Sequence, residues 1–246
     1  MADGAMLPAA GRVAAVSGAG RGLGAAIARR LQREGFALAL GVRDPTRSAV
    51  QLALPADGPR VTWHRYDAQR PDTAVSWITE AVAAHGRLDA LVNNAGILRK
   101  ITFDEGSEDD LDAMWEVNVK GPFRATKAAL PHLRAAGHGR LVNIASTDGK
   151  RIRDPSAPLG YAMTKHALMA LTHAARFAGH ADGVRATALC PGAIDTELIA
   201  GLVGATPAAG RLKPETVAEI VCLLLRLPDQ ANVAELVVNT RLEATL

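Results

Sequence analysis

An α/β fold, a single domain built on a doubly wound parallel sheet with helices on both faces, is predicted by three observations. Short apolar runs of strand length alternate with longer stretches of helical period. The runs are apolar throughout rather than alternating with polar residues, so both faces of each strand must be covered, as helices cover a parallel sheet. No repeat, low-complexity tract or Pro/Gly-rich linker divides the 246 residues, which predicts one domain over 1–246.

The elements follow in order. Strands are expected at 13–17, 37–42, 61–66, 90–92, 141–145, 186–189 and 236–238, most of them short runs dominated by Val, Leu, Ile and Ala. Helices are expected at 23–33, 73–85, 111–134, 162–178 and 214–227, where apolar residues recur every three to four positions. Residues 200–211, small and poor in large apolar groups, predict a mobile substrate lid within a segment of about 195–213.

Composition narrows the function classes. With 48% hydrophobic and 22% charged residues, disordered, collagen-like and disulfide-scaffold classes do not fit. The net charge of +3 comes without a basic run interleaved with aromatics, so a nucleic-acid partner is not expected. Cys190 and Cys222 are the two cysteines, which suits a reducing compartment. The first ten residues lack a basic segment followed by a long apolar run, and no uncharged apolar stretch reaches membrane-spanning length. A cytoplasmic protein with no membrane partner is the expectation.

Gly18, Gly22 and Gly24 lie in SGAGRGLG, directly after the first strand and before the first helix. A tight turn there needs residues without a Cβ, and the N–H groups at the helix start suit a pyrophosphate. The dinucleotide follows from the end of the second strand, LALGVRD, which presents Arg43, with Arg21 in the glycine loop. Two guanidiniums near one ribose edge favour a 2′-phosphate, hence NADP(H), with NAD(H) as the alternative. His166, His173 and His180 repeat every seven residues, but two helical turns separate neighbours by about 10.5 Å, so no metal site is expected. A G-x-S-x-G hydrolase elbow is absent from the sequence.

Together with Asp67 in YDA, Asn93-Asn94-Ala95-Gly96, Asn118 in VNVKG, Ser146, Tyr161-Ala162-Met163-Thr164-Lys165 and Pro191-Gly192-Ala193-Ile194-Asp195-Thr196, the glycine loop resembles the classical short-chain dehydrogenase/reductase family from about Gly11 to Glu197. The resemblance implies a single-domain Rossmann-like fold and an NAD(P)-dependent oxidoreductase that interconverts a carbonyl and a secondary alcohol, as a ketoreductase. It implies that Tyr161 exchanges the proton, Ser146 holds the carbonyl oxygen, Lys165 also holds the nicotinamide ribose, and Asn118 keeps a relay water. Cofactor contacts are implied at Gly18, Arg21, Gly22, Leu23, Gly24 and Arg43, then Asp67, Asn94, Ala95 and Gly96. Tyr161, Lys165, Pro191, Gly192, Ile194 and Thr196 complete the set. A homotetramer or homodimer and a small carbonyl or alcohol substrate are implied as well. Rival readings are an NAD-dependent alcohol dehydrogenase of the same fold and a non-catalytic nucleotide-sensing regulatory protein.

Tyr161 and Lys165 are four apart in a helical stretch and so share a face, where the ammonium is expected to lower the phenol's pKa. Ser146 precedes Tyr161 by fifteen positions, a longer interval than that family's usual one, which leaves Thr147 as an alternative. The chain ends NVAELVVNTRLEATL in place of that family's glycine-and-aspartate segment. Arg99, Lys100, Lys150, Arg151 and Arg153 fall in two loops at the expected active-site rim, which predicts a positive entrance and an acidic substrate.

Overall fold

The computed structural model describes residues 4–55, 57–152, 157–200 and 206–240. Seven strands, β1 (Val13–Ser17), β2 (Ala37–Val42), β3 (Val61–Arg65), β4 (Ala90–Asn93), β5 (Arg140–Ile144), β6 (Arg185–Pro191) and β7 (Glu235–Val238), form one parallel sheet in the order 3-2-1-4-5-6-7. Their registers run in step, for instance Ala15 beside Ala39 on one side and Leu91 on the other. The order reverses between β1 and β4, and in a sheet of this kind the crevice for a ligand opens there, beyond the carboxyl ends of the strands.

Helices cover both faces, as the unbroken apolar strands require. On one face α1 (Gly22–Glu34) and α7 (Pro214–Arg226) bury Ile27, Leu31, Val221 and Leu225 over Val16, Leu38, Leu40 and Val142. On the other, α3 (Pro71–His85), α5 (Gly121–Ala135) and α6 (Leu159–Gly179) bury Trp77, Ile78, Ala129, Leu133 and Ala175 over Val13, Leu91 and Leu141. Among the described residues no helix is long and apolar enough to cross a membrane.

Two elements differ from the sequence reading. The expected single helix over 111–134 is α4 (Glu108–Trp115), a wide π turn (Glu116–Lys120) and α5 in succession. Ser107 caps the start of α4, its hydroxyl accepting from Asp110 N–H, which moves the start earlier than the apolar period indicates. A further helix, α2 (Pro45–Leu52), follows β2. Its signal is the Asp-Pro pair: the Asp44 carboxylate accepts from Arg47 N–H at 3.0 Å and Pro45 presets the first helical φ.

Candidate active site

The carboxyl ends of β1, β2, β4, β5 and β6 open into one cleft of about 900 Å³. Gly18 has φ +64°, and its N–H donates to Gly41 O at 2.8 Å, turning the chain sharply out of β1. A Cβ at Gly24 would overlap the Gly18 carbonyl oxygen, so α1 packs closer to the turn than any side chain allows. Arg21 stands at the N-cap of α1 without capping its N–H groups, and no acidic residue occupies the first turn, leaving a concave run of backbone with the positive end of a helix behind it. Ser17, which the motif reading did not single out, ties this cradle to β4. Its hydroxyl accepts from Asn94 and Ala95 N–H at 2.9 and 3.0 Å, and Asn94 Nδ2 donates back to Ser17 O at 2.9 Å. Its signal is its place at the last position of a buried strand, where a hydroxyl reaches the neighbouring turn.

Gly22, Leu23, Asp67 and Gly96 line the same cleft, as do Pro191, Gly192, Ile194 and Thr196. At its β2 end stand Arg43 and, on α2, Arg47, both exposed and neither in an ion pair among the described residues. Arg47 was missed because α2 was. Arg21 lines the cleft too, and its exposed guanidinium pairs with Glu197. The pair ties the glycine loop to the segment after β6.

At the β5 end, Ser146 begins a short 3₁₀ turn (Thr147–Gly149), its hydroxyl accepting from Asp148 N–H at 3.1 Å. The turn packs directly on α6: a Cβ at Gly149 would stand 2.9 Å from Lys165 O. Tyr161, also on α6, is buried and hydrogen-bonded to Ser146, and the Lys165 ammonium nitrogen stands 5.4 Å from the Tyr161 ring centre. Lys165 Nζ donates to Ile144 O at 2.7 Å, which fixes it to the end of β5. Ser146 is therefore the hydroxyl that meets Tyr161.

Burial governs the protonation of this pair. It pushes the Tyr161 phenol well above its usual range, with the Asp148 carboxylate adding to the effect and the Ser146 hydrogen bond opposing it. It brings Lys165 down to about 8, against opposing pulls from Cys190 and Asp148. The expected lowering of the phenol by the ammonium is thus not seen, because desolvation favours the neutral form of both groups.

Asn118 lies in the π turn, and its side chain is fully engaged. Oδ1 accepts from Ile97 N–H at 2.9 Å, while Nδ2 donates to Ile97 O at 2.9 Å and Thr164 Oγ1 at 3.1 Å.

The expected cationic rim is largely neutralised. Lys100 pairs with Glu105 at 2.7 Å, Lys150 with Glu235, and Arg151 also has a partner. Arg99 stands 3.7 Å from Asp110, and Arg153 lies outside the described residues. His173 bonds Glu235 at 2.8 Å and His166 bonds Ala162 O at 2.9 Å, and among the described residues there is no metal-binding cluster. The expected lid is clamped at its base. Asp195 N–H donates to Leu212 O and Leu212 N–H to Ala193 O, both at 2.8 Å, and Arg211 pairs with Asp195 at 3.0 Å. Its central residues, 201–205, lie outside the described residues.

The model of the family described as short chain dehydrogenase matches residues 12–204. An agropine synthesis reductase of Rhizobium rhizogenes is 36% identical over 89% of the chain, and the chain spans about half the length of this and a second reductase of that name. A cis-4-hydroxycyclohexanecarboxylate dehydrogenase of Sinomonas cyclohexanicum is 38% identical over 87% of the chain and 88% of its own length. An alcohol dehydrogenase of the archaeon Thermococcus sibiricus, solved in complex with 5-hydroxy-NADP, superposes with a TM-score of 0.81 at 33% identity. That match covers 94% of this chain and 99% of the archaeal one.

Proposed function

This chain belongs to the short-chain dehydrogenase/reductase family of NAD(P)-dependent oxidoreductases, and on that premise we propose that it is an NADP(H)-dependent ketoreductase interconverting a carbonyl and a secondary alcohol. The observation that carries the reading is one cleft joining a glycine cradle at β1 to the hydrogen-bonded hydroxyls of Ser146 and Tyr161.

The residues fit a dinucleotide. The close Gly18–Gly24 contact leaves backbone for a pyrophosphate, and Asp67 and the Asn94–Gly96 turn border the path toward Tyr161. Arg43 and Arg47 would hold a 2′-phosphate. Asp44, the acidic residue that could favour NAD, is committed to capping α2. The bound cofactor supplies or accepts the hydride.

Ser146 orients the substrate oxygen. Tyr161, held neutral by burial, keeps its proton at neutral pH and can deliver it to an oxygen gaining negative charge. Lys165, fixed by Ile144 O, holds a readily exchanged proton beside it. Because the phenol's pKa is raised, reduction should be level across neutral pH, whereas alcohol oxidation, which needs the phenolate, should rise as pH increases.

Tyr161→Phe tests the reading: ketone reduction should fall by about two to four orders of magnitude while NADPH binding, followed by fluorescence, persists. Persistent reduction by that variant overturns it, and a wild-type protein that binds NADPH but reduces no carbonyl is the nucleotide sensor. Arg43→Ala with Arg47→Ala should weaken NADPH at least about tenfold and leave NADH little changed. An equal loss for both cofactors refutes the phosphate assignment. Self-association as a homodimer or homotetramer belongs to the same reading, supported by the exposed Phe123 on α5 and Met163 and Phe177 on α6.

A further inference from the structure

The cleft that holds Ser146 and Tyr161 is also lined by the apolar residues Ile97, Leu98, Ala113, Val117, Pro158 and Leu198. Such a lining desolvates a hydrocarbon body and leaves the few charged groups to decide what else is accepted. One of them, Arg99, sits on a stretch of backbone held at three places. Asn118 grips both the N–H and the carbonyl of Ile97. Arg99 N–H donates to Met114 Sδ at 3.3 Å. Ile101 packs against the backbone next to Tyr161, where a Cβ at Gly160 would come within 2.9 Å of Ile101 Cδ1. The position of Arg99 at the cleft is therefore set by the same α4–α6 framework that sets Tyr161.

Its guanidinium is less committed than the ammonium groups of Lys100 and Lys150. The Asp110 oxygen is 3.7 Å from Nε, with both side chains about half exposed, and the contact from Nη1 to Leu98 O is 3.5 Å. An exposed pair at that separation contributes little, so both terminal nitrogens can turn onto a ligand oxygen at small cost. Asp110 keeps a partner when they do, since its Oδ2 accepts from the Ser107 hydroxyl at 3.1 Å. Lys100, by contrast, is held by Glu105 at 2.7 Å. Beside the reacting hydroxyls the Asp148 carboxylate and the Lys165 ammonium act against each other, so neither sign of charge prevails there.

We propose that Arg99 receives a carboxylate at the end of the substrate remote from the reacting carbonyl, so that the substrates are apolar ketones or secondary alcohols carrying a distal carboxylate. The assignment of the reacting end rests on the function proposed above. A planar guanidinium takes the two carboxylate oxygens as a fork. A carboxylate directly on the carbonyl carbon stays beside Ser146 and Tyr161 and gains nothing from Arg99.

The test compares three probes of one length: levulinate with its distal carboxylate, methyl propyl ketone without one, and α-ketovalerate with the carboxylate on the carbonyl carbon. With NADPH, wild type should favour levulinate over the neutral ketone by at least about tenfold in kcat/KM, chiefly through KM, with no such gain for α-ketovalerate. Added salt should erode the preference. In Arg99→Ala the ratio of levulinate to neutral ketone should fall to near one, and Arg99→Lys should restore part of it. Calorimetric binding of levulinate and methyl propyl ketone to each protein provides a readout independent of turnover. Equal handling of the two by wild type, an unchanged ratio in Arg99→Ala, or a preference for α-ketovalerate overturns the proposal. If no probe is reduced but levulinate binding is selective and depends on Arg99, the anion site stands and the ketoreductase reading falls; turnover without selectivity gives the reverse.

Discussion

Lys165 shows how a site residue opposes the stability of its own fold. Its ammonium is buried and its pKa lies near 8, against an unfolded value of 10.5. Between those values the unfolded chain binds more protons, so the Lys165 contribution to stability rises with pH across that window and its cost is fully present below it. Lys165→Met should therefore be more stable than wild type at pH 7, by at most about 3 kcal/mol, with the advantage shrinking from pH 8 to 10 in urea titrations. A constant difference across that range rules the account out. Tyr161, raised above its usual value, acts in the opposite sense above pH 10, where the unfolded phenol ionises first. At this scale the sequence was informative where a residue acts through its neighbours in a motif: Tyr161, Lys165 and the glycines meet in one cleft. It was silent where partners are remote. Nothing in VNVKG says that Asn118 spends its whole side chain on Ile97 and Thr164, nor in SGAGRG that Arg21 pairs with a glutamate 176 positions away.

Among elements, the strands were the most legible, because burial on both faces leaves an unbroken apolar run that no surface element shares. The helices were less so. A helix of eight residues such as α2 has little room for a period to show, and the Asp-Pro start that marks it also marks turns. The joined helices α4 and α5 read as one because a π turn shifts the register by a single residue without a Gly or Pro inside it. The α1–β1 junction supplies a sharper test. Gly24→Ala places a methyl group on the Gly18 carbonyl oxygen, forcing the glycine turn and α1 apart. NADPH affinity should drop at least about tenfold and stability by about 1–3 kcal/mol. An alanine variant with unaltered cofactor affinity shows that the cradle does not depend on this contact.

The sheet carries its chemistry at one edge and the buried charged side chains Arg12, Asp89 and Arg140 at the other. At the amino edge, Asp89 is buried and accepts from Val13 N–H at 2.8 Å and from Arg87 at 2.6 and 2.9 Å. Arg12 reaches Leu225 O at 2.8 Å, and Arg140 reaches Leu227 O at 2.7 Å and Asp229 at 2.8 Å, so β1, β4, β5 and the end of α7 are bound together. Removing one partner leaves buried charge uncompensated. Asp89→Ala should cost about 3 kcal/mol in denaturant unfolding, within one cooperative transition, while KM and NADPH affinity at the far edge stay within twofold or so. A separate early transition argues against a single cooperative domain; a large change in KM argues that the edges are coupled.

The wide turn at Glu116–Lys120 closes its backbone bonds over one residue more than an ordinary helix does. Excising a single residue there would heal the coil and improve its internal bonding, yet it would swing Asn118 about 100° around the axis and away from Ile97. A shortened chain with a sturdier helix and a slack cleft wall is the trade this protein has declined.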